Sequence, residues 1–224
     1  MSNLYIVATP LGNLNDLSQR ALGTFKEVDL ILSEDTRTTK KILHHFQIST
    51  PIESYHQHSD LKKIDRIIEK LEKGFDLALV SEAGTPAISD PGSQLVAEIT
   101  KRNKDVQIVP IPGPCAVAAA LSVSGFYADN FLFLGFPPAK KKRQKFFKEL
   151  AQEEKTIVLY ESPHRLEKTL ADLTEVIDSR KVMVIREMTK QFETTYRGRI
   201  DEVTEQIKND QIKGEFVIVI NRKK

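Results

Sequence analysis

Residues 81–92 read S-E-A-G-T-P-A-I-S-D-P-G and follow a short apolar run, Phe75 to Val80, with the composition of a buried strand. The two glycines of this segment allow backbone angles closed to other residues, and its two prolines fix theirs, so we expect a shaped, stiff loop. Open α/β sheets bind ligands in loops that follow the carboxyl ends of parallel strands. The segment therefore predicts either a ligand-binding loop or a structural turn, and the rest of the chain bears on that choice.

Three further apolar runs in the first half of the chain also end in unusual loops. These predicted strands are Leu4 to Ala8, Asp29 to Leu32 and Val106 to Ile111, and helical patterns separate them. Their loops read A-T-P-L-G-N-L, S-E-D-T-R-T-T and P-G-P-C-A, and the stretch from Pro51 to Ser59 is predicted to be a loop as well. Because strand and helix alternate, this half predicts a largely parallel sheet whose loops line a single crevice.

The pattern changes after Gly125. The predicted strands are now Phe131 to Phe136, Thr156 to Tyr160, Val182 to Arg186 and Glu215 to Ile220, with helices near Leu166 to Ile177 and Ile200 to Lys208. We therefore expect an α/β protein with two α/β domains, residues 1–112 and residues 113–224.

Composition excludes several classes of protein. The 224 residues are 40% hydrophobic and 29% charged, as is typical of a soluble globular chain, and the formal net charge of +2 identifies no partner. The single cysteine, Cys115, excludes an intramolecular disulfide and a cysteine-cluster zinc site, which is consistent with a reducing compartment. No apolar run approaches the roughly 20 residues that span a bilayer. We expect a cytoplasmic protein without membrane contact.

Several familiar sites are missing from the sequence. It has no G-x-x-x-x-G-K-[ST] motif and no G-x-G-x-x-G after the first strand, which argues against a nucleoside triphosphatase and an ordinary dinucleotide enzyme. His44 and His45 are adjacent, and His56 and His58 lie in a loop, so neither pair has the H-E-x-x-H spacing and no metal site is predicted. Serines at the strand ends lack a nucleophile-elbow context. The residues predict a pocket and leave its ligand open.

Six motifs in order carry a family resemblance that runs from about Leu4 to Ile220. They are L-Y-I-V-A-T-P-L-G-N-L, S-E-D-T-R-T-T, V-S-E-A-G-T-P-A-I-S-D-P-G, I-P-G-P-C-A, L-Y-E-S-P-H-R and R-E-M-T-K. This series resembles the ribosomal RNA small-subunit methyltransferase I family of the tetrapyrrole methylase superfamily. The resemblance implies two α/β domains of the tetrapyrrole methylase type, an S-adenosylmethionine cleft between them and a homodimer. It also implies 2′-O-methylation of a cytidine ribose in the decoding region of small-subunit ribosomal RNA.

The resemblance further implies a set of cofactor-binding residues. In the first domain these are Leu11, Gly12, Ala83, Gly84, Thr85, Pro86 and Ile88. At the domain junction and in the second domain they are Pro112, Gly113, Cys115, Ala116, Tyr160, Glu161 and Gly198. Cys115 stands where relatives often carry serine or threonine. Thr85 stands where tetrapyrrole-modifying relatives carry aspartate, which disfavours a porphyrinoid substrate.

A ribose hydroxyl is a poor nucleophile at neutral pH. Its methylation is assisted by a base that removes the proton or by a cation that stabilises the developing negative charge. The catalytic candidates, all just beyond apolar strands, are Glu34, Arg37, Glu82, Glu187 and Lys190. Glu187 and Lys190 would share a face if their segment were helical, where the carboxylate could tune the lysine as a base; a structural salt bridge is equally consistent. Arg37 could bind a phosphate or pair with Asp35 or Glu34.

Basic residues cluster where an RNA could be bound. The candidates are Lys140, Lys141, Lys142, Arg143 and Lys145 after a proline pair, Lys40 and Lys41, and His164 and Arg165. The first group predicts a flexible RNA-holding loop, although such a run is also typical of a solvated surface. The implied partner is small-subunit ribosomal RNA, in the assembled 30S subunit. Two alternatives stay open: a tetrapyrrole-precursor C-methyltransferase and a non-catalytic RNA-binding factor in ribosome assembly.

Overall fold

The protein is described by a computed structural model that covers residues 2–56, 61–102, 105–177, 179–210 and 212–223. The chain divides into two compact α/β units, the first ending at Cys115 and the second beginning at Ala116. The α/β class expected from the alternating pattern is confirmed. The domain limits 1–112 and 113–224 stay a prediction.

The first unit is a parallel sheet with helices on both faces. Its elements are β1 (Ser2–Val7), a 3-10 turn (Leu14–Asp16), α1 (Gln19–Glu27), β2 (Leu30–Ser33), α2 (Thr36–His45), β3 (Ile52–Ser54), α3 (Leu61–Glu72), β4 (Leu77–Val80), α4 (Ser93–Arg102) and β5 (Val106–Ile111). The strand order is β3-β2-β4-β1-β5, and every pair is parallel, which confirms the prediction for this half. Loops that follow these strands therefore leave the sheet at one edge.

The central strand β4 shows why this sheet is buried on both sides. Leu77 and Leu79 pack with α3 and α4 on one face, whereas Ala78 and Val80 pack with α1 and α2 on the other. All four side chains are buried, because successive residues of a strand point to opposite faces and helices cover both. The continuous apolar run before residue 81 is thus a strand in the middle of the core.

Strand β3 corrects the predicted loop from Pro51 to Ser59 over residues Ile52–Ser54; residues 57–59 lie outside the described residues. Its residues pair in parallel with β2 at the edge of the sheet, with Ile52 opposite Ile31. Two lysines of α3 reach over this edge: the Lys70 ammonium contacts the Glu53 carboxylate at 2.6 Å, and that of Lys63 donates to the Ser54 hydroxyl at 3.1 Å. The strand is only three residues long, which is too short for an alternating pattern to reveal it.

The second unit has a mixed sheet. Its elements are α5 (Ala116–Ser124), β6 (Phe131–Phe133), α6 (Arg143–Gln152), β7 (Thr156–Glu161), α7 (Pro163–Thr174), β8 (Lys181–Arg186), β9 (Thr194–Arg199), α8 (Ile200–Lys208) and β10 (Phe216–Ile220). The strand order is β6-β7-β10-β8-β9, in which only β6 and β7 are parallel. Apolar residues of these strands pack against α6, α7 and α8 to form the core of the unit.

Three elements of this unit differ from the prediction. Strand β6 ends at Phe133 rather than at Phe136. Strand β9, which reads T-T-Y-R-G-R, was not predicted, because Tyr196 is its only buried residue and it lies at the edge of the sheet. Helix α7 begins at Pro163, earlier than the predicted start near Leu166. Proline suits a first helical position, since its missing N–H would have no partner there. No described helix is long and apolar enough to cross a membrane.

Candidate active site

The loops that follow β1, β4 and β5 bond directly to one another. Thr9 and Gly84 exchange two backbone hydrogen bonds, with N···O distances of 2.9 and 3.0 Å. The Ala8 N–H donates to the Ile111 carbonyl at 3.1 Å, and the Thr85 hydroxyl donates to the Pro114 carbonyl at 3.0 Å. The predicted convergence is thereby confirmed for three of the four loops, which meet at the carboxyl edge of the sheet.

Two glycines make this close approach possible. Gly84 has a φ of +80°, and a Cβ there would lie 3.2 Å from the Leu11 side chain. A Cβ on Gly113 would lie 3.0 Å from the Cβ of Ala8. Loop packing alone therefore favours glycine at both positions, so their direct contact with a cofactor stays a prediction.

The residues around these contacts differ in their exposure. Gly12, Pro112 and Gly113 are exposed; Leu11, Ala83, Thr85, Cys115 and Ala116 are partly exposed; Gly84 and Pro86 are buried. Ile88 is an apolar side chain with 42% of its surface exposed. Accessible backbone next to small and apolar side chains is a surface that suits a nucleoside, which needs close approach and a few backbone hydrogen bonds.

The segment 81–92 has an unusual backbone. Besides Gly84 and Gly92, Ala87 and Ser89 have positive φ values of 69° and 60°. The Ala87 N–H donates to the Pro91 carbonyl at 3.2 Å and closes the turn. A left-handed conformation costs a residue with a side chain about 1–2 kcal/mol, so the surrounding contacts impose this shape.

Three catalytic candidates of the first unit interact by charge beyond β2 and β4. Burial raises the pKa of the Glu34 carboxyl, the negative charge of Glu82 raises it further, and the nearby His56 opposes the shift. Glu82 itself is exposed and also acts on Arg37. A carboxylate with a raised pKa holds a proton more readily than an ordinary one, which makes Glu34 a suitable proton acceptor.

Arg37 forms an ion pair with a neighbouring carboxylate. Its guanidinium lies 3.1 Å from Asp35, and the same carboxylate accepts the Arg37 backbone N–H at 2.8 Å and so caps α2. These bonds lower the pKa of Asp35 to about 2. The Arg37 side chain is 87% exposed, so the guanidinium can still meet a phosphate from solvent.

The Glu187–Lys190 pair of the second unit lies in a turn rather than a helix. The Lys190 ammonium contacts Glu187 and Glu215, each at 2.9 Å, and the Glu215 N–H donates to the Glu187 carboxylate at 3.0 Å. Burial disfavours both charges, but these bonds outweigh it, raising the pKa of Lys190 and lowering that of Glu187. Because the amine stays protonated, this geometry does not support Lys190 as a base and suits it to stabilising negative charge.

The predicted cofactor contacts of the second unit have structural partners within that unit. Glu161 is 1% exposed, and its carboxylate accepts from the Thr169 hydroxyl at 2.6 Å and the Ser162 N–H at 2.8 Å. A side chain at Gly198 would overlap the Glu202 carboxylate, which caps α8. Tyr160 packs against two phenylalanine rings. A cofactor role for these three residues stays a prediction.

Arg143 corrects the predicted RNA-binding set. It is 6% exposed, and its guanidinium donates to Asp172 at 2.6 Å, Thr169 at 2.9 Å and the Pro138 carbonyl at 3.0 Å. Arg143 is therefore a structural residue. The accessible basic residues are Lys140, Lys141, Lys142 and Lys145, with Lys40 and Lys41 on α2. His164 is exposed on the first turn of α7, whereas Arg165 pairs with Glu161 at 3.3 Å.

Three residues near these candidates were not predicted as site residues: His56, Glu215 and Phe136. Of these, His56 was weighed only as a metal ligand. Only their proximity to Glu34, Lys190 and Tyr160 in the fold brings them in, and no spacing in the sequence signals it. Within the described part of the chain, no three His, Cys, Asp or Glu residues are grouped to hold a metal ion. His58 lies outside the described residues.

Comparison with known proteins identifies the family. A family description, tetrapyrrole (corrin/porphyrin) methylases, matches residues 3–204. The chain is 48% identical to ribosomal RNA small subunit methyltransferase I of Synechocystis sp., over 98% of this chain and 79% of that protein. The chain belongs to the ribosomal RNA small subunit methyltransferase I family, within the tetrapyrrole methylases. The member of this family from Thermotoga maritima is 43% identical and is matched over its whole length.

The fold of this ribosomal RNA small subunit methyltransferase I family member also occurs in more distant proteins. Uroporphyrin-III C-methyltransferase from Thermus thermophilus, solved with S-adenosyl homocysteine, superposes with a TM-score of 0.65 over 97% of each chain. The sequence identity is 16%, so this likeness establishes the fold alone. The two-domain α/β fold expected from the motifs is thereby confirmed.

Proposed function

We propose that this protein transfers a methyl group from S-adenosylmethionine to the 2′-oxygen of a cytidine ribose in the decoding region of small-subunit (16S) ribosomal RNA. The observation that carries the proposal is the identity of 43–48%, over essentially the whole chain, with relatives named ribosomal RNA small subunit methyltransferase I. The proposal includes a cytoplasmic enzyme that acts on the 30S subunit, and the family resemblance favours a homodimer.

The described residues fit a nucleoside cofactor at the carboxyl edge of the first sheet. Exposed backbone at Gly12 and Gly113 and the apolar side chain of Ile88 would hold it. Bound there, S-adenosylmethionine supplies an activated methyl group. The protein then has to align the acceptor oxygen and take up one proton.

Two residues are candidates for assistance at the ribose oxygen. Glu34, whose pKa is raised by burial and by Glu82, is the proposed proton acceptor. Lys190 is the alternative and would stabilise the developing oxyanion, because its contacts with Glu187 and Glu215 keep it charged. Exposed Arg37 is proposed to position an RNA phosphate.

A tetrapyrrole-precursor C-methyltransferase is the second candidate, favoured by the fold shared with a uroporphyrin-III C-methyltransferase. Thr85 argues against it. Its hydroxyl donates to the Pro114 carbonyl and joins two loops, a bond that an aspartate carboxylate at this position could not make. The third candidate, a non-catalytic assembly factor, predicts RNA binding without methyl transfer.

Transfer of labelled methyl from S-adenosylmethionine, offered in parallel to small ribosomal subunits, naked ribosomal RNA and a porphyrinoid precursor, distinguishes these candidates. We expect label in the RNA that survives alkaline hydrolysis as a resistant dinucleotide, because a 2′-O-methyl group blocks cleavage at that ribose. Label in the porphyrinoid alone would overturn the RNA substrate. RNA binding without any label would favour the assembly factor.

A further inference from the structure

Phe136 combines exposure with a fixed position. Its side chain is 51% exposed, although phenylalanine normally lies in the core. The ring packs edge-on against Tyr160, with centroids 5.6 Å apart, and Tyr160 in turn packs against Phe133 at 4.9 Å. Since Phe133 and Tyr160 belong to the neighbouring strands β6 and β7, the exposed ring is supported from the sheet beneath it.

The two residues after Phe136 are anchored by two arginines, of which Arg143 is buried and Arg165 is partly exposed. The Pro138 carbonyl accepts from Arg143, which is held by Asp172 and Thr169. The Pro137 carbonyl accepts from Arg165, which pairs with the buried Glu161. The base of the basic loop is therefore held by polar contacts that reach into the unit.

Three exposed lysines lie on this anchored loop. Because Arg143 bonds back to Pro138, the loop between them is closed, and Lys140, Lys141 and Lys142 lie on it. Lys142 has a φ of 65°, a conformation that glycine or asparagine adopts at lower cost. A cationic loop next to an exposed, supported aromatic ring is the combination with which proteins bind single-stranded nucleic acid.

We infer that Phe136 is a stacking platform for one unpaired base of the RNA substrate, with Lys140–Lys142 holding the adjacent phosphates. This inference rests on the proposed function and adds a subsite to it. The ring contributes a π-face that any base can use, and the lysines contribute the charge that favours RNA over a neutral ligand.

The test compares binding of a fluorescent single-stranded RNA with that of an oligonucleotide of equal length carrying stable abasic residues. Phe136→Ala should weaken binding of the RNA about 5- to 140-fold, the equivalent of about 1–3 kcal/mol per stacked base. The abasic ligand keeps its phosphates and has nothing to stack, so its affinity should not change. The slope of affinity against salt should also stay the same, because no charge is removed.

Matched variants separate stacking from other roles of the ring. Phe136→Tyr should bind RNA as the wild type does, whereas Phe136→Leu, which keeps apolar bulk without a π-face, should resemble Phe136→Ala. Phe75→Ala removes another exposed ring, 45% exposed, at the amino end of β4, and should have no effect. Each variant's melting temperature is measured alongside.

Three results would overturn the inference: unchanged RNA binding by Phe136→Ala, equal losses for RNA and the abasic ligand, or weaker binding of S-adenosylmethionine with RNA binding intact. The last would assign the ring to the cofactor. If the wild-type protein methylates ribosomal RNA, any of these removes only the stacking site. If the wild-type protein neither binds nor methylates RNA, the proposed function fails and the stacking site with it.

Discussion

Gly214 has a φ of +90° and lies against the Glu187 carboxylate, so that any side chain there would overlap it. Gly125, in the same unit, also has a positive φ, of +70°, but faces open space. We expect Gly125→Ala to cost about 1–2 kcal/mol through backbone strain alone. Gly214→Ala should cost roughly 1–3 kcal/mol more, because the Glu187 carboxylate must move away.

Urea unfolding of both variants measures this difference. Equal losses for the two would show that Glu187 yields without cost and that its contacts with Lys190 and Glu215 are loose. A larger loss for Gly214→Ala would show that the cluster is held rigidly, as a site that stabilises negative charge requires.

Titration of Glu34 can test two points separately: whether Glu82 raises its pKa, and whether Glu34 accepts the proton in catalysis. Since the charge of Glu82 raises the pKa of Glu34, Glu82→Gln should lower it, and the acidic limb of the pH–activity profile should move to lower pH if Glu34 accepts the proton. Glu69→Gln, on the exposed surface of α3, is the control. It should change neither the pKa of Glu34 nor the acidic limb of the pH–activity profile. Carbon-13 NMR of the glutamate carboxyl groups measures the pKa directly, and an unchanged value would contradict the interaction.

The same shift has a consequence for stability. A carboxyl whose pKa is raised on folding favours the folded state when protonated, and this contribution is lost as the pH rises through the folded-state pKa. Glu34→Gln stays neutral at every pH. Its thermal stability relative to the wild type should therefore increase as the pH rises above the pKa of an ordinary glutamate. A stability difference that does not vary with pH would mean that Glu34 has no raised pKa.

At the scale of elements, Lys142 precedes the first residue of α6 with a left-handed backbone and no side-chain capping bond. Lys142→Gly should keep or increase the melting temperature, because glycine adopts this conformation without strain. RNA binding should nevertheless weaken at low salt, since one cation is removed. Lys148→Gly, inside α6, removes the same charge but should destabilise the helix by about 1 kcal/mol. Intact RNA affinity in Lys142→Gly would remove this lysine from the binding loop.

Arg143 connects α6 to α7 and to the loop before it. Arg143→Ala should cost about 1.5–3 kcal/mol, because it removes the charge-assisted hydrogen bonds to Asp172 and Thr169. Arg143→Lys should recover only part of this, since an ammonium cannot bond three partners in the planar geometry of a guanidinium. Thermal unfolding compares the two variants, and equal stability of wild type and Arg143→Ala would contradict the structural role.

Elements with a continuous apolar run, such as β4 and β10, are predictable from sequence because burial on both faces leaves a compositional mark. Strands β3 and β9 are edges with few buried residues, and only pairing with a neighbouring strand defines them. Likewise, Arg143 carries the same charge as the lysines before it. Its burial depends on Asp172, 29 residues away, so local sequence could not distinguish it.

The candidate site follows the same rule. Convergence of the loops after β1, β4 and β5 could be predicted, since the carboxyl ends of parallel strands share one edge. The raised pKa of Lys190 could be predicted only in part: Glu187 is three residues away, but Glu215 reaches Lys190 from just before another strand.

The whole molecule is nearly neutral, with 33 basic and 31 acidic residues, so that RNA binding must depend on where the cations lie. Replacing Lys140, Lys141 and Lys142 by glutamine should reduce the slope of log affinity against log salt by about 0.7 for each RNA phosphate that these lysines neutralise. Replacing Lys62, Lys73 and Lys101, which are exposed elsewhere, gives the same net charge and should leave the slope unchanged. Equal slopes for both triple variants, measured by fluorescence anisotropy, would mean that net charge rather than the loop drives binding.

The short strand β3, covered by lysines of α3, also affects how copies of this protein meet in a concentrated solution. An uncovered sheet edge offers free backbone groups on which another chain can add a strand, which is a common start of amyloid-like aggregation. Here the edge ends after three residues and carries the Lys70–Glu53 ion pair. An approaching strand would have to displace these charges and strip their water, so this edge should resist intermolecular β-pairing even at high protein concentration.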